Sequence, residues 1–158
     1  RTPQDTPNVD RVFAPDQLSE MLPECDFVVV TAPINDETRG MFDRAAFAAM
    51  KSTAFYICFS RGEIADDDAL IDALSSGKIA GAGLDAHSVE PLPKDSPFWT
   101  LPNTIITPHT GSSAVETPLR SVEIFCENLR RFQAAGARTR LRRADRRQKP
   151  RALYRRGN

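Results

Sequence analysis

Four short runs rich in β-branched, aromatic and small apolar residues punctuate the first 110 residues, and helical patterns fill the intervals between the first three. They are Asp26-Phe27-Val28-Val29-Val30-Thr31, Ala54-Phe55-Tyr56-Ile57-Cys58-Phe59, the Gly- and Ala-rich stretch from Ile79 to Leu84, and Thr104-Ile105-Ile106-Thr107. Strand-length runs that alternate with segments of helical period specify a parallel sheet with flanking helices. The first run is apolar at every interior position, which predicts a strand covered on both faces. The small residues of the third allow a helix or a ligand close to the sheet.

The intervals read as follows. Asp16 is placed to cap a short helix from Gln17 to Leu22 that Pro23 ends. A second helix is predicted over 43–50, with Phe42, Ala46 and Met50 on one face. A third, over 66–76, carries Asp66, Asp67 and Asp68 in its first turn as complements to the helix dipole. Leu70, Ile71 and Leu74 form its inner stripe and Gly77 ends it. Three successive acids at a helix start are better explained this way than as a metal site, and no metal is expected. After the Pro-rich loop 91–102 and the fourth strand, Thr117 and Pro118 open a last helix that runs to about Phe132. Leu119, Val122, Cys126, Leu129 and Phe132 share one of its faces, and that face calls for a partner.

Charge divides the chain in two. The 21 basic and 21 acidic residues cancel overall, yet residues 1–135 hold 11 basic and 20 acidic side chains, while residues 136–158 hold ten and one. The basic tail has too few large apolar residues to offset its ordering entropy and is expected to be disordered. Its charge alone supports only nonspecific nucleic-acid contact. Because the body is acidic and carries no nucleic-acid motif, such a partner is not expected. No apolar run reaches the roughly 20 residues of a membrane span, and Arg1-Thr2-Pro3-Gln4-Asp5 lacks the apolar core of a signal peptide. Cys25, Cys58 and Cys126 are odd in number and far apart, so a disulfide framework is not indicated. These points predict a cytoplasmic protein with no membrane partner.

In a parallel α/β sheet, ligands bind at the carboxyl ends of the strands. The residues there are Ala32-Pro33, Ser60-Arg61-Gly62, Asp85 through Glu90, and His109-Thr110-Gly111. An Arg, a Glu and a His at three successive strand ends point to an anion clamp and an acid–base pair. Singly, each is equally well a surface ion pair, a turn residue or a satisfied loop histidine; together, in this order, they are not. A Ser–His–Asp hydrolase using Ser112 or Ser113 lacks the G-x-S-x-G elbow. Cys58 reads as a core thiol, and Phe98 and Trp99 as residues that pack the Pro-rich loop.

The blocks Cys58-Phe59-Ser60-Arg61-Gly62-Glu63-Ile64, Gly81-Ala82-Gly83-Leu84-Asp85 with Glu90-Pro91-Leu92-Pro93, and Pro102-Asn103-Thr104-Ile105-Ile106-Thr107-Pro108-His109 resemble the D-isomer-specific 2-hydroxyacid dehydrogenases. The spacings of 29 residues from Arg61 to Glu90 and 19 from Glu90 to His109 agree with that family, and the resemblance covers about residues 10–133. It implies hydride exchange between NAD or NADP and a small 2-keto or 2-hydroxy acid. Arg61 would hold the substrate carboxylate and carbonyl oxygen, His109 would move the proton, and Glu90 would accept a hydrogen bond from His109 and favour its charged form. Ala32, Pro33, Phe59, Ser60, Asp85 and Gly111, with Arg61 and His109, would line the cofactor. His87 stands where the family often has an aromatic residue and is given no catalytic role. The full-length family implies a homodimer.

No G-x-G-x-x-G occurs in the 158 residues; Gly81 and Gly83 lie within a strand, where no phosphate-cradling helix opens. The chain therefore resembles the second half of such an enzyme. Its expected organisation is part of a dinucleotide-binding domain over 1–115, a C-terminal helix over 116–135 and a basic tail over 136–158. The fold expected is a partial Rossmann-type α/β sheet. The alternative function is that of a non-catalytic remnant that associates through Leu119, Val122, Leu129 and Phe132.

Overall fold

The computed structural model describes residues 9–135, so the expected tail lies outside the described residues. The chain divides after Gly111 into two compact units. The first holds strands β1 (Phe27–Val30), β2 (Phe55–Cys58), β3 (Gly81–Leu84) and β4 (Thr104–Ile106), with helices α1 (Leu18–Met21), α2 (Arg44–Ala49) and α3 (Asp67–Ser75). The second holds helix α4 (Thr117–Ala135).

The four strands form one parallel sheet in the order β1-β2-β3-β4. The register sets Val28 beside Tyr56, Tyr56 beside Ala82, and Ala82 beside Thr104. Because side chains alternate across a strand, Val28, Val30, Tyr56, Cys58, Ala82 and Leu84 point to one face, where all are buried with Phe42, Phe47, Leu70 and Leu74. Phe42, Phe47 and Tyr56 form an aromatic cluster with ring centroids 5.0–5.9 Å apart. The expectation of two covered faces does not hold for the described residues. Phe27 and Val29 are 63% and 50% exposed, and Phe27 stacks on Phe55 at 5.5 Å on the open face.

The helix ends explain themselves. Asp43 and Asp66 cap α2 and α3, accepting from the amides of Ala46 and Ala69 at 2.8 Å. Gly77 (φ 69°) closes α3, its amide bonded to Leu74 O and that of Lys78 to Ala73 O. The expected cap at Asp16 and stop at Pro23 are corrected. Asp16 caps nothing: residues Pro15–Gln17 form a 3-10 turn, α1 starts only at Leu18, and Pro23 sits inside a further 3-10 turn, Leu22–Glu24, rather than ending a helix. A proline at the second position of a short turn costs no internal hydrogen bond, so it does not act as a breaker. Asp67 does more than complement a dipole, since it accepts a hydrogen bond from Ser88 Oγ at 2.9 Å. In α4, Leu119, Val122, Leu129 and Phe132 are exposed. Its Thr117 hydroxyl donates to Ser112 O rather than accepting a cap bond.

Candidate active site

The carboxyl ends of the four parallel strands form one rim. β2 leads in three residues to Arg61, β3 in six to Glu90, and β4 in three to His109. Two of these meet: both carboxylate oxygens of Glu90 lie 2.8 Å from His109 Nδ1. A carboxylate only accepts, so Nδ1 carries a proton and Nε2 is left to exchange one. The His87 amide also donates to Glu90 Oε1, at 2.9 Å. That amide first, and the His109 ring second, hold the Glu90 carboxyl below the usual carboxylate range.

His109 itself has φ 54°, in the left-handed region that a non-glycine residue seldom occupies. Asp85 holds it there from both sides. The Asp85 carboxylate accepts from Thr107 Oγ1 at 2.5 Å, Thr110 N at 2.8 Å and Gly111 N at 2.7 Å. A side chain at position 111 would place Cβ 2.7 Å from Asp85 Oδ2 and push that oxygen off the two amides it accepts from. Burial works against the Asp85 charge, but the Thr107 hydroxyl and the two amides outweigh it, and the carboxyl is held below its ordinary value.

A carboxyl lowered in the folded state contributes stability that is complete above its unfolded value of about 3.9 and is lost as pH falls through the native value. Asp85→Asn keeps the shape but turns one acceptor into a donor facing an amide. It is expected to destabilise by about 1–3 kcal/mol at neutral pH and to lose less stability than the wild type on acidification, as thermal melts between about pH 7 and 3 would show.

Arg61 stands at the rim, but among the described residues its guanidinium bonds only the neighbouring carbonyl of Ser60, at 2.6 Å; it is not hydrogen-bonded to Glu90 or His109. Its loop is nevertheless locked to theirs. A Cβ on Gly62 would lie 2.1 Å from the carbonyl carbon of His87 and 2.2 Å from Ser88 N. Phe59, Asp85 and Gly111 adjoin one another: a Cβ on Gly111 would lie 4.0 Å from that of Phe59. Ala32 and Pro33 follow β1 on the same rim, Ala32 packed on the core and Pro33 O bonded by Thr38 Oγ1 at 2.8 Å. Ser60 is half-buried beside Cys58, whose thiol donates to Arg61 O. Beside the Glu90–His109 pair opens a hollow of about 400 Å³ walled by Leu92, Trp99, Ile106 and Pro108.

Sequence reasoning missed His87. It is buried, its amide orients Glu90, and its ring Nε2 lies 3.1 Å from Thr107 O, so Nε2 is the donor. The only signal was a polar residue three before Glu90, on the strand-end loop.

Residues 1–111 match the family described as D-isomer specific 2-hydroxyacid dehydrogenase, NAD binding domain. Over 112 residues the chain is 46% identical to glyoxylate/hydroxypyruvate reductase B of Klebsiella pneumoniae, covering 71% of this chain and 35% of that protein. Among solved structures it is similar to a D-isomer specific 2-hydroxyacid dehydrogenase from Xanthobacter autotrophicus in complex with NADPH and MES, with 40% identity and a TM-score of 0.68, over 75% of this chain and 48% of that one. D-mandelate dehydrogenase of Rhodotorula graminis in its holo form gives 36% identity and a TM-score of 0.66, over 73% and 33%. The chain thus spans about a third of the length of the curated relatives it matches.

Proposed function

Since this chain belongs to the D-isomer specific 2-hydroxyacid dehydrogenase family, matching its NAD-binding domain, we propose that it carries the proton-transfer side of an NAD(P)-dependent interconversion of 2-keto and 2-hydroxy acids. The observation that carries the reading is the Glu90–His109 pair, 2.8 Å apart at the rim of a parallel sheet, with Nε2 free of Glu90.

The residues fit the nicotinamide end of such a cofactor. Asp85 and Gly111 adjoin Phe59, and Ala32, Pro33, Ser60 and Arg61 stand along the same rim. When bound, the cofactor supplies or accepts a hydride at C2 of the substrate. In the reductive direction the Arg61 fork holds the substrate carboxylate by two donors. His109 gives its Nε2 proton to the C2 oxygen as that oxygen gains charge, and Glu90 stabilises the imidazolium beforehand. Afterwards the ring is neutral with its remaining proton on Nδ1, still bonded to Glu90. In the oxidative direction Nε2 takes the hydroxyl proton back. The same reading makes the substrate a small 2-keto or 2-hydroxy acid and the complete protein a cytoplasmic homodimer. The free state of Cys25, Cys58 and Cys126 supports a reducing compartment. Among the described residues no helix is long and apolar enough to cross a membrane.

The 158 residues hold no glycine-rich pyrophosphate turn, so the chain alone is expected to bind NADH and NADPH weakly or undetectably and to show no turnover. A chimera that places the N-terminal part of the Klebsiella reductase before it is expected to reduce glyoxylate, pyruvate or hydroxypyruvate. Micromolar cofactor binding by the chain alone would contradict the first expectation; a folded, cofactor-binding chimera with no turnover would contradict the function. A second reading, a non-catalytic remnant that only associates with other chains, is favoured by the exposed Phe27, Val29 and Ile105 and by the apolar residues of α4. The inactive chimera is the outcome that supports it.

A further inference from the structure

Behind the Glu90–His109 pair lies a second set of contacts. The amide of His109 donates to Thr107 O at 3.0 Å, spanning Pro108. The same carbonyl oxygen accepts from His87 Nε2 at 3.1 Å. Such an oxygen has two lone pairs and can serve both donors. The main chain of His87 reaches the other partner, because its amide donates to Glu90 Oε1 at 2.9 Å. One residue is thus bonded to Glu90 directly and to His109 through a shared carbonyl.

The pair needs such support. The side chains of His109 and Glu90 are 34% and 38% exposed, and an ion pair open to water holds its geometry poorly unless its supports are fixed. His109 is also in the left-handed region, φ 54°, where a non-glycine residue persists when its surroundings over-determine it. Asp85 grips the Thr107 hydroxyl and the amides of Thr110 and Gly111; the carbonyl of Thr107 is left to the ring of His87. That ring has firm anchorage. His87 is buried, its main chain abuts Gly62, and the next residue, Ser88, donates through Oγ to Asp67 at the start of α3, at 2.9 Å.

We propose that His87 is a positioning residue for the proton transfer assigned to His109: its amide and its ring hold the two members of the pair in register from behind. The kinetic consequence rests on the dehydrogenase reading. The hydrogen-bond geometry does not, and it is read from the protons on two rings.

The full chain has two histidines, so its ¹⁵N-histidine spectrum contains two imidazoles. At a pH where both are neutral, His87 is expected to carry its proton on Nε2 and His109 on Nδ1. His87→Phe keeps a ring and the amide but loses the donor to Thr107. In that variant His109 should move toward the Nε2–H form that a free imidazole prefers, and in the chimera kcat should fall about 10–100-fold with KM little changed, the effect of a misplaced reacting group. His87→Gln supplies a side-chain N–H again and should restore both. A purely structural role would lower the melting temperature and leave the His109 tautomer and kcat alone. The proposal is overturned if His87 in the wild-type chain carries its proton on Nδ1, if His109 keeps its wild-type tautomer in a folded His87→Phe chain, or if His87→Gln behaves as His87→Phe does. The first and third outcomes remain decisive if His87→Phe fails to fold, the third then being an unfolded Gln chain. A wild-type chimera without turnover counts against the dehydrogenase reading and leaves the tautomer result standing.

Discussion

His109→Ala is expected to lower kcat of the chimeric enzyme about 10²–10⁴-fold, the usual worth of a positioned acid–base group, with little change in cofactor affinity. The reason is the division of the ring's two nitrogens. Nδ1 is committed to Glu90 at 2.8 Å, and the commitment fixes the tautomer that leaves Nε2 for the substrate oxygen. Alanine removes both the proton donor and the partner of Glu90, while the Asp85 clasp, which uses the main chain of Thr110 and Gly111, stays available to hold the loop. Fold and cofactor binding should therefore survive where turnover does not. Glu90→Gln should fall between wild type and His109→Ala, because the amide can still meet Nδ1 but cannot offset the charge of an imidazolium. Steady-state kinetics of the three proteins, with circular dichroism to confirm folding, decide the matter. A His109→Ala enzyme within about tenfold of wild type would remove His109 from the chemistry.

Much of this was legible in the residues, and the exceptions have physical causes. The strands follow from short apolar runs such as Phe27-Val28-Val29-Val30, rich in β-branched side chains that favour a strand, and their parallel arrangement from the helical segments that alternate with them. The caps were not legible: the helical pattern takes in Asp43 and Asp66, and Asp16 and Thr117, expected to cap, do not, because which short polar side chain reaches the first free amides is set by where the turn before the helix directs it. What the runs cannot disclose is which apolar face finds a cover. Phe27 and Val29 are as apolar as Val28 and Val30, yet the first pair is open and the second buried. The meeting of Glu90 with His109 was legible as a spacing, because parallel strands bring their ends to one rim. The support behind the meeting was not. Thr107, Thr110 and Gly111 hold Asp85 through two main-chain amides and one hydroxyl, and His87 holds Glu90 through another amide. Main-chain donors leave no mark on residue identity except where a side chain would obstruct them, as at Gly111.

Gly62 is another such position, and Gly62→Ala carries the largest expected structural penalty. The added Cβ would sit 2.1 Å from the carbonyl carbon of His87, 2.2 Å from Ser88 N and 2.6 Å from the His87 Cα. All three are main-chain atoms, so no rotamer change relieves the clash; the loop after β3 must move bodily. Overpacking of an interior typically costs 1–3 kcal/mol when side chains can yield, and a clash with backbone lies at or beyond the top of that range, about 3 kcal/mol or more. For a domain of this size that is a fall of about 10 °C or more in melting temperature. Gly83→Ala is the control, since its Cβ would meet only Ile57 side-chain atoms at 3.8 and 3.9 Å, an ordinary contact, and it should melt within about 4 °C of wild type. The displacement at 62 also has a functional direction. His87 gives its amide to Glu90 and its ring to Thr107, so pushing it away withdraws a donor from the carboxylate that faces His109 and loosens a donor to Asp85. In the chimera, Gly62→Ala should therefore lower kcat even at temperatures where the protein stays folded, although residue 62 has no polar side chain to offer any substrate. A Gly62→Ala chain as stable as the Gly83→Ala control would mean that the Arg61 and Glu90 loops are free of one another, and the rim could then not hold a guanidinium, a carboxylate and an imidazole in fixed relation.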